Sequence, residues 1–315
     1  AKCLEAYHKV DLSGGKVHVN SWDLSKCEGL PEGGVLDLAN LGLPALSVRA
    51  RVGRNFNKFP LPGAMTKQDR IDMEVLMGKA FEELIKDPEF GGCYNSITPG
   101  HPNFINEEEY NKLVKAHVMF KDMSVDPYLM DAGIAQHWPH GRGCYHSADK
   151  TFVVWVGEED HLRIVSMNPA TTILNSVFDR LNKVVGIIEK ISEKEGGFAK
   201  HEKFGVVTSC PTNIGTGMRA SVLIKIPNLT ADGTDTAAKA ICKPLSLSVR
   251  GMGGEHTAIG ADGTCDISPS GRFCISEAEI LCALYKGVSL LKIEEDKAPK
   301  APVKSVNQGC ACVTM

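Results

Sequence analysis

The stretch Cys210-Pro211-Thr212-Asn213-Ile214-Gly215-Thr216, with Arg219 three residues beyond it, decides how the rest of the chain is read. Proline fixes φ, Asn and Thr side chains bond back to nearby backbone, and Gly215 lets another group come close, expected here to be a ligand. Before it, Phe204-Gly205-Val206-Val207-Thr208-Ser209 reads as a strand. After it, Ser221-Val222-Leu223-Ile224-Lys225-Ile226 alternates and reads as another. A cysteine thus stands in a tight turn between two strands, a common place for functional side chains.

Working outward, Thr151-Phe152-Val153-Val154-Trp155-Val156 and Leu162-Arg163-Ile164-Val165-Ser166-Met167 are strong strands. They flank the charged turn Gly157-Glu158-Glu159-Asp160-His161, and so predict a hairpin. Glu158 and Asp160 read there as solvated turn charges. Upstream, Val48-Arg49-Ala50-Arg51-Val52 is strand-like, and period-two spacing puts Arg49 and Arg51 on one face. Residues 246–250 form another strand, leading into a flexible stretch over 251–263.

A helix is predicted over 66–85, with Thr66 and Asp69 as its cap and Ile71, Val75, Phe81 and Ile85 on its apolar face. A second runs over 107–119. The longest spans 173–191 on a broad stripe of Ile, Leu, Val and Phe. Residues 231–241 turn helical toward their end, and Ser276 with Glu279 opens a helix to about Leu291. Strands joined by tight turns with helices between them favour an α+β fold, an antiparallel sheet flanked by helices.

With 43% hydrophobic residues and a formal charge of −3 over 315 residues, the chain has material for a large core and lacks the basic excess of a nucleic-acid binder. Its eleven cysteines show no paired metal spacing, which predicts reduced thiols in the cytoplasm. No apolar run approaches the roughly 18 residues that span a bilayer.

Five strings in order resemble the phosphagen (guanidino) kinases, the arginine and creatine kinase family. They are Ser47-Val48-Arg49-Ala50-Arg51, the block from Trp138-Pro139-His140-Gly141-Arg142-Gly143 through His161-Leu162-Arg163, the cysteine turn, Val249-Arg250-Gly251-Met252-Gly253-Gly254-Glu255-His256, and Asp266-Ile267-Ser268. The resemblance covers roughly 47–291. It implies a catalytic domain over 47–293 of glutamine-synthetase-like architecture, a leader or remnant of a small helical domain over 1–46 with little core of its own, and a disordered tail over 294–315.

The resemblance also implies the chemistry. ATP or ADP with Mg²⁺ would be the nucleotide substrate, and a small guanidino compound the acceptor, arginine ahead of creatine or taurocyamine. Arg49, Arg51, Arg163, Arg219 and Arg250 match the family's phosphate cage, since arginine forks bind phosphate oxygens and stay charged. Ser47, His117, Ser221, Gly251, Gly254 and Asp266 fall on the nucleotide side; Leu223 replaces a second adenine-side histidine. Glu159, Cys210 and Glu255 match the guanidinium-binding set, with Glu159 as proton acceptor and Cys210 ordering the cation. The catalytic residues are then Glu159, Cys210, Glu255 and Arg163. A protein-arginine kinase and a non-catalytic relative are the alternative readings. Separately, Cys312-Val313-Thr314-Met315 fits the C-a-a-X farnesylation pattern. Cys310 offers a palmitoylation site, and upstream lysines predict a peripheral membrane or ciliary tether.

Overall fold

Alternation in the strand Leu46–Arg54 (β1) builds the molecule's two-sided sheet. Val48, Ala50 and Val52 are fully buried on one face, while Ser47, Arg49 and Arg51 line the other. The computed structural model describes residues 2–251 and 258–301. The further strands in it are β2 (Gly92–Ser96), β3 (Gly143–Ser147), β4 (Phe152–Val156), β5 (Leu162–Thr171), β6 (Lys200–His201), β7 (Gly205–Val206), β8 (Met218–Lys225), β9 (Leu247–Arg250) and β10 (Thr264–Pro269). Eight of these make one antiparallel sheet in the order β2-β3-β4-β5-β1-β8-β10-β9, and β6 with β7 forms a separate ribbon.

The described helices are α1 (Lys2–His8), α2 (Lys67–Leu84), α3 (Glu107–Lys115), α4 (Pro127–Asp131), α5 (Leu174–Ser192), α6 (Thr236–Cys242) and α7 (Glu277–Lys297). Apolar residues of α2, α5, α6 and α7 share one core with Val48, Ala50, Val52, Val154, Ile164 and Val222. The α5 stripe alone buries Leu174, Val177, Phe178, Leu181, Val184, Val185 and Ile188, each worth about 1.5–3 kcal/mol of transfer free energy. A smaller cluster, Val118, Met119 and Phe120 against Cys144, Val153 and Val165, covers part of the opposite face. The remainder of that face carries the charged site.

The expected α+β architecture and the hairpin of β4 and β5 are present. Several local expectations need correction. Val75 and Ile85 are more than half exposed; Phe81 is buried as expected, stacked on Tyr94 and Tyr145, and with it α2 buries Met73, Met77, Ala80 and Leu84, because α5 and the sheet cover that side of the helix. Its Thr66–Asp69 capping box is as expected. The strand expected over 204–209 shrinks to β7, since residues 207–209 turn away to enter the cysteine loop. The helix expected over 107–119 stops at Lys115, where Ala116 caps it and His117 takes a left-handed φ of 58°.

Helix α7 runs past Leu291 to Lys297, because Glu295 is buried and accepts the backbone N–H groups of Asn228 and Leu229 at 2.8 and 2.9 Å. The segment before β1 has little regular structure, yet Leu36 and Leu38 are fully buried in the main core.

Candidate active site

Antiparallel register assembles the charged face. Arg51 lies opposite Arg219 on β8 and Val165 on β5, and Gly53 lies opposite Arg163. Ser221 pairs with Arg49, and Asp266 on β10 pairs with Arg250 on β9. Since cross-strand partners share a face, Ser47, Arg49, Arg51, Arg163, Arg219, Ser221, Arg250 and Asp266 converge on one side of five adjacent strands. All eight are among the residues singled out from the sequence. Gly251 follows directly at the end of β9. Glu255 and Gly254 lie outside the described residues, as do Cys310 and Cys312.

This crowding has an electrostatic cost. Burial, followed by the charges of Arg163, Arg49 and Arg219, brings the half-buried Arg51 guanidinium down to about 9. Among the described residues, no carboxylate forms an ion pair with Arg49 or Arg51. Asp266 is raised by burial, against the pull of a Ser221 hydrogen bond and of Arg219, Arg250 and Arg49, and its Oδ1 is buried without a hydrogen-bond partner. A face of like charges held close together is suited to a polyanion, whose arrival relieves the repulsion.

Arg163 is held by both arms of its fork. Its two terminal nitrogens donate to Glu158 Oε1 at 2.7 Å and Glu159 Oε2 at 2.8 Å. Glu158 is therefore not a solvated turn charge: burial pushes its carboxyl up, opposed by Arg163. Nor is Asp160, which is fully buried and accepts the Asn55 side-chain amide and the Ser209 N–H, both at 2.7 Å. Ser209 precedes Cys210, so Asp160 links the carboxylate turn directly to the cysteine turn. A β-carbon at Gly53 would stand 2.7 Å from Asp160 Oδ2, so only glycine admits that carboxylate against β1.

In the cysteine turn, Pro211 opens a short 3₁₀ segment to Asn213, and Asn213 N–H closes it on the Cys210 carbonyl at 3.0 Å. Cys210 Sγ lies 3.0 Å from Thr212 Oγ1. Gly215, with φ of 114°, faces not a ligand but the chain itself: a β-carbon would lie 2.2 Å from the Arg272 carbonyl. The N-terminal segment braces the same turn, with His8 Nε2 donating to the Pro211 carbonyl at 3.0 Å and Asn20 to that of Gly215 at 3.3 Å.

His117 sits off the sheet and exposed, but not at random. The neighbouring Val118 carbonyl accepts Trp155 Nε1 at 2.6 Å, and Trp155 is the cross-strand partner of Arg163. One site residue was missed from the sequence. Arg272 is lowered by burial and by Arg219, with further contributions from Arg250 and, in the other direction, Tyr7 and Cys210. It adds a sixth guanidinium to the same field. Its signal was only its place six residues after Asp266, in a loop without strand periodicity.

This arginine face, with a carboxylate turn and a cysteine turn at its edge, is the framework of a phosphoryl-transfer family. The chain belongs to that family: residues 72–298 match the ATP:guanido phosphotransferase C-terminal catalytic domain. It is 40% identical to the taurocyamine kinase of Schistosoma mansoni over 92% of this chain and 36% of that protein. It is 38% identical to arginine kinase Oct f 2 of Amphioctopus fangsiao over 92% of this chain and 76% of that protein. Among solved structures, the Schistosoma mansoni duplicated taurocyamine kinase with bound transition state analog components superposes with a TM-score of 0.76 at 36% identity, over 94% of this chain and 38% of that one. A lombricine kinase crystal structure gives 0.76 at 28% identity, over 93% of this chain and 75% of that one.

Proposed function

We propose that this chain is an ATP:guanidino phosphotransferase that moves the γ-phosphoryl group of Mg-ATP reversibly to a guanidino nitrogen, with arginine as acceptor, and so buffers ATP. The observation that carries the reading is the convergence of the five family arginines' strands on one face, with Arg163 gripped by Glu158 and Glu159. Phosphoryl transfer needs little covalent work from a protein; alignment and charge neutralisation dominate. Arg49, Arg51, Arg163, Arg219 and Arg250 would hold the phosphate oxygens, with Ser47, Ser221, Gly251, Gly254, Asp266 and His117 on the nucleotide side.

Mg²⁺ would arrive as part of the nucleotide, held mainly by phosphates and water. Glu159 would exchange its partner Arg163 for the acceptor guanidinium and take the proton released as nitrogen attacks phosphorus. Cys210, with Thr212 at its sulfur, would order the cation without forming a covalent intermediate, and Glu255 would complete the acceptor's carboxylates. A coupled assay of ATP consumption against arginine, taurocyamine and creatine tests the proposal. Turnover with arginine is expected. No turnover with any of the three would overturn it, and phosphoarginine on a protein substrate would favour the protein-kinase alternative.

We also propose that Cys312 is farnesylated, with Cys310 as a second acylation site, so that a cytoplasmic enzyme is tethered to a membrane. The support is the C-a-a-X string and its upstream lysines. Among the described residues no helix is long and apolar enough to cross a membrane. Intact mass of protein from its natural cell should show the prenyl increment; an unmodified C-terminus would refute the tether.

A further inference from the structure

Far along the sheet from the arginines, β2 carries Cys93 on an outer edge with its side chain exposed. Its cross-strand partner on β3 is His146, more than nine-tenths buried. Cys93 Sγ lies 3.5 Å from His146 Nε2. The other ring nitrogen, Nδ1, is 2.9 Å from the Ser147 carbonyl, which can only accept, so Nδ1 carries the proton and Nε2 offers its lone pair to the thiol. From two residues along β2, the Asn95 amide nitrogen approaches the same sulfur at 3.6 Å and can only donate to it. The sulfur thus has a base on one side to take its proton and a donor on the other to hold the negative charge left behind.

We propose that Cys93, with His146 and Asn95, is a second reactive-thiol site, distinct from Cys210, that takes small peroxides. The sulfur lone pair attacks one peroxide oxygen as its proton passes to His146 Nε2. The S–O bond forms, the O–O bond breaks, and the departing hydroxide recovers the proton as water, leaving a sulfenic acid. The peroxide is reduced and the cysteine oxidised, with atoms and electrons in balance. The line Cys93–His146–Val153–Val165–Arg51 runs straight across the sheet through four strand spacings, about 19 Å. The thiol is therefore on the arginine face but clear of the proposed transfer site.

The test uses the full chain, exposed to hydrogen peroxide with dimedone, and in parallel to iodoacetamide, with peptide-resolved mass spectrometry. Cys3, also exposed and in no hydrogen bond to a base among the described residues, is the internal standard. Cys93 should react on the order of 10²-fold faster than Cys3 with both reagents, the low end of what a positioned base contributes. His146→Gln should bring it within about twofold of Cys3, and Asn95→Ala should slow it in the same direction. Cys93→Ser should leave ATP turnover unchanged. Equal rates at Cys93 and Cys3, or a Cys93 rate unmoved by both His146→Gln and Asn95→Ala, would overturn the proposal.

Discussion

At the scale of single residues, three positions carry distinct consequences. Arg51 sits among three other guanidinium groups, so its value lies in what binds there and not in folding. Arg51→Ala should lower turnover on the order of 10²-fold, as loss of an oxyanion donor does, while leaving the melting temperature unchanged or raised. Asp160 behaves oppositely. Asp160→Ala strands the Ser209 N–H and the Asn55 amide in a buried place, so stability should fall by about 1–3 kcal/mol, read by urea denaturation, and turnover should fall with it as the cysteine turn loosens. His161 is held at about 4 by burial, with Nε2 donating to the Pro60 carbonyl and Nδ1 accepting the Phe56 N–H, and buried His18 is likewise at about 4. Each has an ordinary value of 6.5 when unfolded, so between those values the unfolded chain binds protons that the folded one refuses. Stability should therefore decline as pH falls from about 6.5 toward 4. Thermal melts stepped from pH 7.5 to pH 4.5 would show it, and a flat profile would contradict it.

At the scale of elements, the termini of helices were the most legible features, because a cap is a contact between near neighbours in sequence. Thr66 with Asp69 and Ser276 with Glu279 form the reciprocal bonds expected of them. Ser276→Ala should cost about 0.5–2 kcal/mol by denaturation, with steady-state kinetics unchanged. The C-terminal ends of α3 and α7, which lack such a signal, were misplaced. The last turns of α7 look like tail in sequence, being charged, and are held by Glu295 reaching residues more than sixty positions earlier. The wrong apolar stripe on α2 has the same origin: a helix with hydrophobic residues on several faces buries the one its neighbours cover. The buried Arg70 and Glu74 occupy part of it, Glu74 accepting hydroxyls from Tyr94, Ser96 and Thr98.

At the scale of the whole molecule, one sheet separates an apolar core from a charged face, and the N-terminal segment belongs to both. Leu36 and Leu38 are part of the core while His8 and Asn20 brace the cysteine turn. Leu36→Ala should destabilise the whole protein by about 2–5 kcal/mol, measured by denaturant unfolding, a loss that a loosely attached leader would not produce. The amino-acid sequence by itself determined that Arg49 and Arg51 share a face, that β4 and β5 fold back on each other, and that Cys210 stands in a tight turn. Those features follow from strand period and from turn residues, which act over a few positions. Only the tertiary structure decided which arginines meet, that Asp160 joins two turns, that Arg272 enters the field, and that Gly215 yields to backbone. Each depends on strand register and on contacts between segments distant in sequence, where the free energy of burial and of like charges brought together is set by what arrives from elsewhere in the chain.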